Sequence, residues 1–261
     1  MIERTGMKTE TEKEIIDIGR WSKDDLDRIM NTASRFSSPG ERIGFISQHF
    51  LNTPYLKSTL TGSINEQEIF VINLGGVDCF TFIDYVEAMR LSCSFDELKA
   101  SLKKVRYRSG DVDYWKRNHF FTDWAEFSRA NILDATGEIG GNRTKKSKKI
   151  LNTKEGGTCF LEGIAPRERE VAYIPVHEIS SSVFAAIRTG DYAGIYSELP
   201  GLDVSHAGII IKADNDECFL RHASSLEQYR KVIDQPLKDY LSDKPGLIVL
   251  RALEPIRRIT I

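Results

Sequence analysis

Up to Leu102 the apolar residues of this chain recur three or four positions apart, and from Tyr192 onward they gather into short runs separated by turn residues. The first spacing is that of amphipathic helices and the second that of strands. Helices first and strands after predicts an α+β fold, with N-terminal helices packed on a mainly antiparallel sheet. In the helical half, Ser22-Lys23-Asp24-Asp25 leads into Leu26, Ile29 and Met30, and Ser38-Pro39-Gly40-Glu41 reads as a capping box ahead of Ile43, Ile46 and Phe50. A third helix starts at Cys79 and carries Phe82, Val86, Met89 and Cys93 on one face, which makes Cys93 a core residue. Ser94-Phe95-Asp96-Glu97 is a further capping box, and residues 68–72 look like a short strand.

In the second half, residues 192–196, 207–212, 218–222 and 247–253 are predicted strands, with helical segments at 178–187 and 237–241. Residues 1–20 are charged and weakly patterned, an arm or short edge strand. Residues 21–261 are expected to form a single catalytic domain with insertions at about 105–175.

Hydrophobic residues make up 41% and charged residues 28% of the 261, which suits a globular core in water. The net charge of −2 offers no basic field for nucleic acid. The lysine-rich segment 143–149 is the local exception and reads as a solvated loop or strand edge. No apolar run approaches the roughly 18 residues of a membrane span. The first residues show neither an apolar signal region nor a small-residue cleavage site. Cysteines stand at 79, 93, 159 and 218 with no C-x-x-C pair, so no zinc site is expected. With Cys79 free, at most one disulfide fits within the monomer, and the redox compartment stays open.

The chemistry concentrates around Leu74-Gly75-Gly76-Val77-Asp78-Cys79-Phe80-Thr81-Phe82. A glycine turn delivers a thiol to the first turn of a helix, with Asp78 as the natural N-cap. Unpaired amides and the positive end of the helix dipole are expected to lower the thiol pKa there. Downstream, His206 begins one strand and His222 ends the next, with the turn Asp214-Asn215-Asp216 between them. A hairpin folded at that turn places both histidines at one end. The expected roles are Cys79 as nucleophile, His206 as general base, and His222 as the group that fixes the tautomer of His206. The Cys79 backbone N–H is a natural oxyanion donor. His49, His119 and His177 read as ordinary structural histidines, with His119 the most open because of its aromatic and charged neighbours.

These motifs resemble the NlpC-type bacterial cell-wall cysteine hydrolases of the papain-like fold, and more closely their N-acetylmuramoyl-L-alanine amidase-like branch. The segments in question are Asn52-Thr53-Pro54-Tyr55, Val77 to Phe82, Arg106-Tyr107-Arg108 and Asn118-His119-Phe120-Phe121-Thr122-Asp123-Trp124. They continue with Gly190-Asp191, Gly201-Leu202-Asp203-Val204-Ser205-His206-Ala207-Gly208 and Arg221-His222-Ala223-Ser224, together spanning roughly residues 40–253. The resemblance implies a papain-like domain with Cys79, His206 and His222 as its catalytic set, and a Tyr55 that faces the site and assists the oxyanion. Tyr55, Asp78, Asp203, Ser205 and His119 are the candidate substrate-binding or oxyanion residues.

One departure carries weight. Common endopeptidase members follow the cysteine with a serine-glycine pair, whereas Phe80-Thr81 follow here. That favours cleavage between the muramic lactyl group and L-alanine over stem-peptide endopeptidase activity. An acyltransferase or deamidase on the same fold is the other alternative, and the intact Cys79, His206 and His222 set speaks against a binding module without turnover. The implied partners are peptidoglycan fragments or muropeptides, with no metal or other cofactor. The implied setting is the cell envelope, periplasm or exterior, reached through a leader since trimmed, with a cytoplasmic site as the alternative.

Overall fold

In the computed structural model, which describes residues 13–254, the chain opens with strand β1 (Glu14–Asp17) and helices α1 (Lys23–Ala33) and α2 (Pro39–Gln48). Residues 1–12 of the predicted arm lie outside the described residues. Both helices begin with a complete capping box: the Ser22 hydroxyl accepts from the Asp25 amide while Asp25 reaches back to the Ser22 N–H, and Ser38 and Glu41 repeat the arrangement. Strand β2 (Phe70–Asn73) pairs in parallel with β1. Helix α3 (Cys79–Arg90) follows, then α4 (Phe95–Arg106).

Helix α3 differs from its predicted form in two ways. It is buried on nearly every side rather than along one stripe. It also stops at Arg90, so Cys93 lies beyond its end and is exposed, not part of the core. At the next cap, Ser94 accepts from the Glu97 amide, but Glu97 bonds the Cys93 N–H rather than that of Ser94.

The chain then runs through α5 (Asp123–Phe127), β3 (Ile132–Asp134), α6 (Thr136–Gly140), β4 (Lys145–Leu151), β5 (Arg167–Pro175) and α7 (Ser181–Ala186). It closes with β6 (Tyr192–Tyr196), β7 (Val204–Lys212), β8 (Cys218–Ala223), β9 (Val232–Pro236), α8 (Leu237–Leu241) and β10 (Gly246–Ala252). The large sheet has the order β4-β5-β10-β6-β7-β8-β9, with β3 also paired to β10, and every pairing in it is antiparallel. The α+β class and the mainly antiparallel sheet are therefore as predicted. Residues 105–175, expected as insertions, contribute β3, β4 and β5 to that sheet.

Alternation along the strands gives the sheet two apolar faces. Ala207, Ile209, Ile248 and Leu250 pack toward α1–α4, while Ile210, Leu220, Leu247 and Val249 pack against residues of α7 and α8. The lysine-rich run forms β4, an edge strand whose charges deter further pairing. Lys149 alone turns inward, donating to the Ser197 and Leu199 carbonyls at 2.6 and 2.8 Å. Among the described residues, no helix is long and apolar enough to cross a membrane.

Candidate active site

Asp78 terminates the glycine turn and caps α3: one carboxylate oxygen accepts from the Phe80 and Thr81 amides at 3.0 and 2.7 Å, and the Thr81 hydroxyl accepts from the Asp78 N–H. The N-cap role read from the sequence is the one observed. Cys79 therefore opens the helix, half-buried, with its sulfur facing the backbone amides of Ala207, Cys79 and Phe80. The pairing of β7 with β8 runs from Lys212–Cys218 to Ile209–Arg221, and the Ala207 N–H that serves the sulfur lies past that point. The helix start thus meets β7 one residue from His206.

The two histidines come together as the hairpin argument required, though not directly opposite one another. The β7–β8 register, carried one step past Ile209–Arg221, sets His222 across from Gly208, two residues along from His206. The contact is diagonal, and the glycine makes it feasible: a Cβ at position 208 would stand 3.0 Å from the His222 Cβ and 2.8 Å from the Arg221 carbonyl oxygen. His206 Nε2 lies 2.8 Å from His222 Nδ1, and His222 Nε2 lies 2.7 Å from Gln235 Oε1 on β9. Tyr240 of α8 packs its ring on both imidazoles, with centroids 6.0 Å from His206 and 5.0 Å from His222. Sequence reasoning missed Gln235 and Tyr240. The register of β9 would have revealed the first, but that strand was not predicted.

Electrostatics reverse one expectation. Burial pushes the Cys79 thiol up to about 12, with the neighbouring Asp78 carboxylate adding to the rise; the three amides only partly oppose it. Burial also pushes His206 down to about 3, and His222 is lowered for the same reason. The predicted lowering of the thiol by the helix start is outweighed by loss of water. Both shifts favour the neutral thiol and the neutral imidazole. Among the described residues, the sulfur makes no hydrogen bond to either histidine.

The other candidates divide by position. Tyr55 is pinned beside the nucleophile by a parallel bridge to Val77 and by its N–H donating to the Arg230 carbonyl at 2.9 Å. Its phenol is raised by burial and, behind that, by the nearby Cys79 and Asp78 side chains, which puts it near the sulfur. Asp203 is buried elsewhere: it accepts from the Thr122 amide and hydroxyl at 2.7 and 2.8 Å, fastening the loop before α5 to the start of β7. Ser205 is exposed and directs its hydroxyl to the Ile195 carbonyl. His119 is held by the Tyr114 carbonyl at 2.8 Å and pushed down to about 4 by burial; it makes no hydrogen bond to Cys79, His206 or His222. No group of three or more metal-binding side chains occurs among the described residues.

This α+β architecture is shared with solved structures. A protein from Legionella pneumophila strain Philadelphia 1 superposes with a TM-score of 0.74 at 25% identity, over 89% of this chain and 94% of the other. An N-acetylmuramoyl-L-alanine amidase from Bacteroides uniformis superposes with a TM-score of 0.65 at 25% identity, over 88% of this chain and all of the other, 100%. No curated protein matches the chain. The class is therefore amidase-like. The chain belongs to the AmiA-like, or N-acetylmuramoyl-L-alanine amidase-like, family, which matches residues 45–247.

Proposed function

We propose that the protein is a cysteine-dependent amide hydrolase of papain-like, NlpC-type design that cleaves the bond between the lactyl group of N-acetylmuramic acid and L-alanine in peptidoglycan fragments. The observation that carries this reading is the meeting of the α3 start with the beginning of β7, where a thiol, a strand amide that faces it and a hydrogen-bonded histidine pair converge. Family membership and the amidase-named structure supply the substrate class. Intact peptidoglycan lies in the cell envelope, which is the setting this substrate favours.

Burial favours the neutral form of both groups, and with that starting point proton transfer accompanies attack. The Cys79 sulfur bonds the lactyl carbonyl carbon as its proton passes to His206, and the carbonyl π pair moves to oxygen. The Cys79 N–H, at a helix start, and the Tyr55 hydroxyl receive that oxyanion. Collapse of the intermediate breaks the C–N bond, His206 returns the proton to the departing L-alanine nitrogen, and a muramoyl thioester remains. Water, deprotonated by His206, then releases the lactyl carboxylate and restores the thiol. Tyr240 and His222 hold the base in place.

The test is mass spectrometry of defined muropeptides after digestion by the wild-type chain and by Cys79→Ala. The expected products are a free muramic carboxylate and a peptide with a free L-alanine amine, from the wild type alone. Cleavage within the stem peptide, or an adduct with a second amine, would replace this reading with an endopeptidase or an acyltransferase.

A further inference from the structure

His206, His222 and Gln235 form a staggered row across three strands. His222 sits two residues off the position facing His206, and Gln235 two residues off Ile233, which faces His222. The links are 2.8 and 2.7 Å, and the row ends on an amide oxygen. An amide oxygen carries no proton and can only accept. We infer that Gln235 is a positioning residue that sets the tautomer of His206 through His222, leaving His206 Nδ1 as the free base. The functional half of this inference rests on the proposed Cys79–His206 chemistry; the proton positions do not.

His222 must donate from Nε2 to Gln235. A neutral imidazole has a single N–H, so His222 Nδ1 then holds a lone pair and accepts from His206 Nε2. The one proton of His206 is thereby committed, and its Nδ1, the ring nitrogen nearer its own backbone and Ala207, is left unprotonated. A reversed amide would donate to His222 Nε2, turn both imidazoles over and place a proton on His206 Nδ1, abolishing the base.

The neutrality of the last member matters as well. Asp234, next to Gln235, is the nearby acid, but both its oxygens are taken by Arg221 at 2.8 and 2.7 Å. Burial keeps His222 neutral, and an amide partner does not draw a second proton onto it as a free carboxylate would. The remaining neighbours are the Tyr240 ring on both imidazoles and Lys244, whose charge helps hold His206 neutral.

Long-range proton–nitrogen NMR correlation on the full chain, labelled in its histidines, reads the tautomers at neutral pH. The expected result is the Nε2–H form for both His206 and His222. Gln235→Met, similar in shape but without the acceptor, should let His222 distribute its proton over both nitrogens and lower kcat/KM by about tenfold. Gln235→Glu puts a free carboxylate on His222 and should draw a second proton onto it, so that His222 Nδ1 donates to His206 and the neutral Nε2–H form of His222 is lost. A wild-type His222 protonated on Nδ1 would overturn the inference, as would Gln235→Met with tautomers unchanged. The wild-type spectrum decides even where the methionine variant fails to fold. Correct tautomers in a protein that cleaves no muropeptide would count against the proposed function and leave this inference standing.

Discussion

Helix α3 carries polar groups at its start and along its body, and the surrounding protein treats the two sets in opposite ways. Along the body, Arg106 Nε meets Asp84 Oδ2 at 3.0 Å, Arg90 grips Glu87 with contacts of 2.8 and 2.6 Å, and the Tyr192 hydroxyl donates to Glu87 at 2.8 Å. At the start, Cys79 has amides and phenols around its sulfur but no cationic partner, and burial leaves it protonated. The body of the helix is buried and its start is half-buried. Burial alone favours the neutral form, and a buried charge persists where an opposite charge is locked against it. Even with Arg106 beside it, Asp84 is pushed up to about 6.

The largest expected effect belongs to the start of the helix. Cys79→Ala should lower muropeptide cleavage by roughly a thousandfold or more, since removal of a nucleophile leaves only binding and oxyanion stabilisation. Cys79→Ser should fare little better, because a hydroxyl held at this site stays protonated. Either change should move the thermal midpoint by no more than about 4 °C, as the side chain contributes little packing. Retention of a tenth of the wild-type rate would remove Cys79 from the nucleophile role.

The body of the helix should respond in the reverse sense. Arg106→Met leaves the Asp84 carboxylate buried without its partner and should cost about 3–5 kcal/mol of stability, with kcat/KM of the folded fraction within about threefold of wild type. The pH dependence has a definite sign. Asp84 already binds its proton more tightly folded than unfolded, and loss of Arg106 strengthens that preference. The folded state then holds the extra proton, so the variant should lose stability as pH rises through neutrality and recover it toward acid. Calorimetry across that range checks it, and a variant that melts like wild type at every pH would show that the pair is not needed.

What could be read in the sequence follows the range of the forces involved. The caps at Ser22, Ser38 and Asp78 are bonds over two or three residues, so local order determines them. The β7–β8 hairpin was legible because Asp214, Asn215 and Asp216 mark its turn, although the register differs by two residues from a face-to-face pairing of the histidines. Strand β5 was not legible: it begins Arg-Glu-Arg-Glu and gains apolar alternation only toward its end. Strand β9 ends in Pro236 and lies at the sheet edge, where its pattern is weak and proline is tolerated. Cys93 continued the spacing of α3 past the point where the helix stops. The charge state of Cys79 escaped because it depends on how α3 and β7 exclude water together, and no local motif encodes that.

That charge state provides the next test. Iodoacetamide reacts with the thiolate, so its rate with Cys79 measures how much is present. With the thiol pushed up to about 12, alkylation in the free protein should be slow at neutral pH and rise about tenfold per pH unit across the alkaline range. Cys93, which is exposed, is the internal standard and should react sooner. A fast rate at Cys79, flat from mildly acid to neutral pH, would mean a standing thiolate–imidazolium pair. It would place the start of α3 alongside its body as a region of paired charges.

The smallest expected effect concerns Tyr240, which touches the histidines on the face of the sheet that α8 covers. Its hydroxyl is pushed up to about 12, chiefly by burial, so it stays protonated throughout the working range. Its contacts with His206 and His222 are made by the ring, tilted on one and edge-on to the other. If packing is its function, Tyr240→Phe keeps the ring and should change kcat/KM by less than about threefold, whereas Tyr240→Ala frees both imidazoles and should lower it by about tenfold or more. A loss of about a hundredfold in the phenylalanine variant is the size expected for a missing oxyanion donor. In that outcome the hydroxyl reaches the reacting carbonyl, and Tyr240 joins Tyr55 among the groups that stabilise charge at the nucleophile.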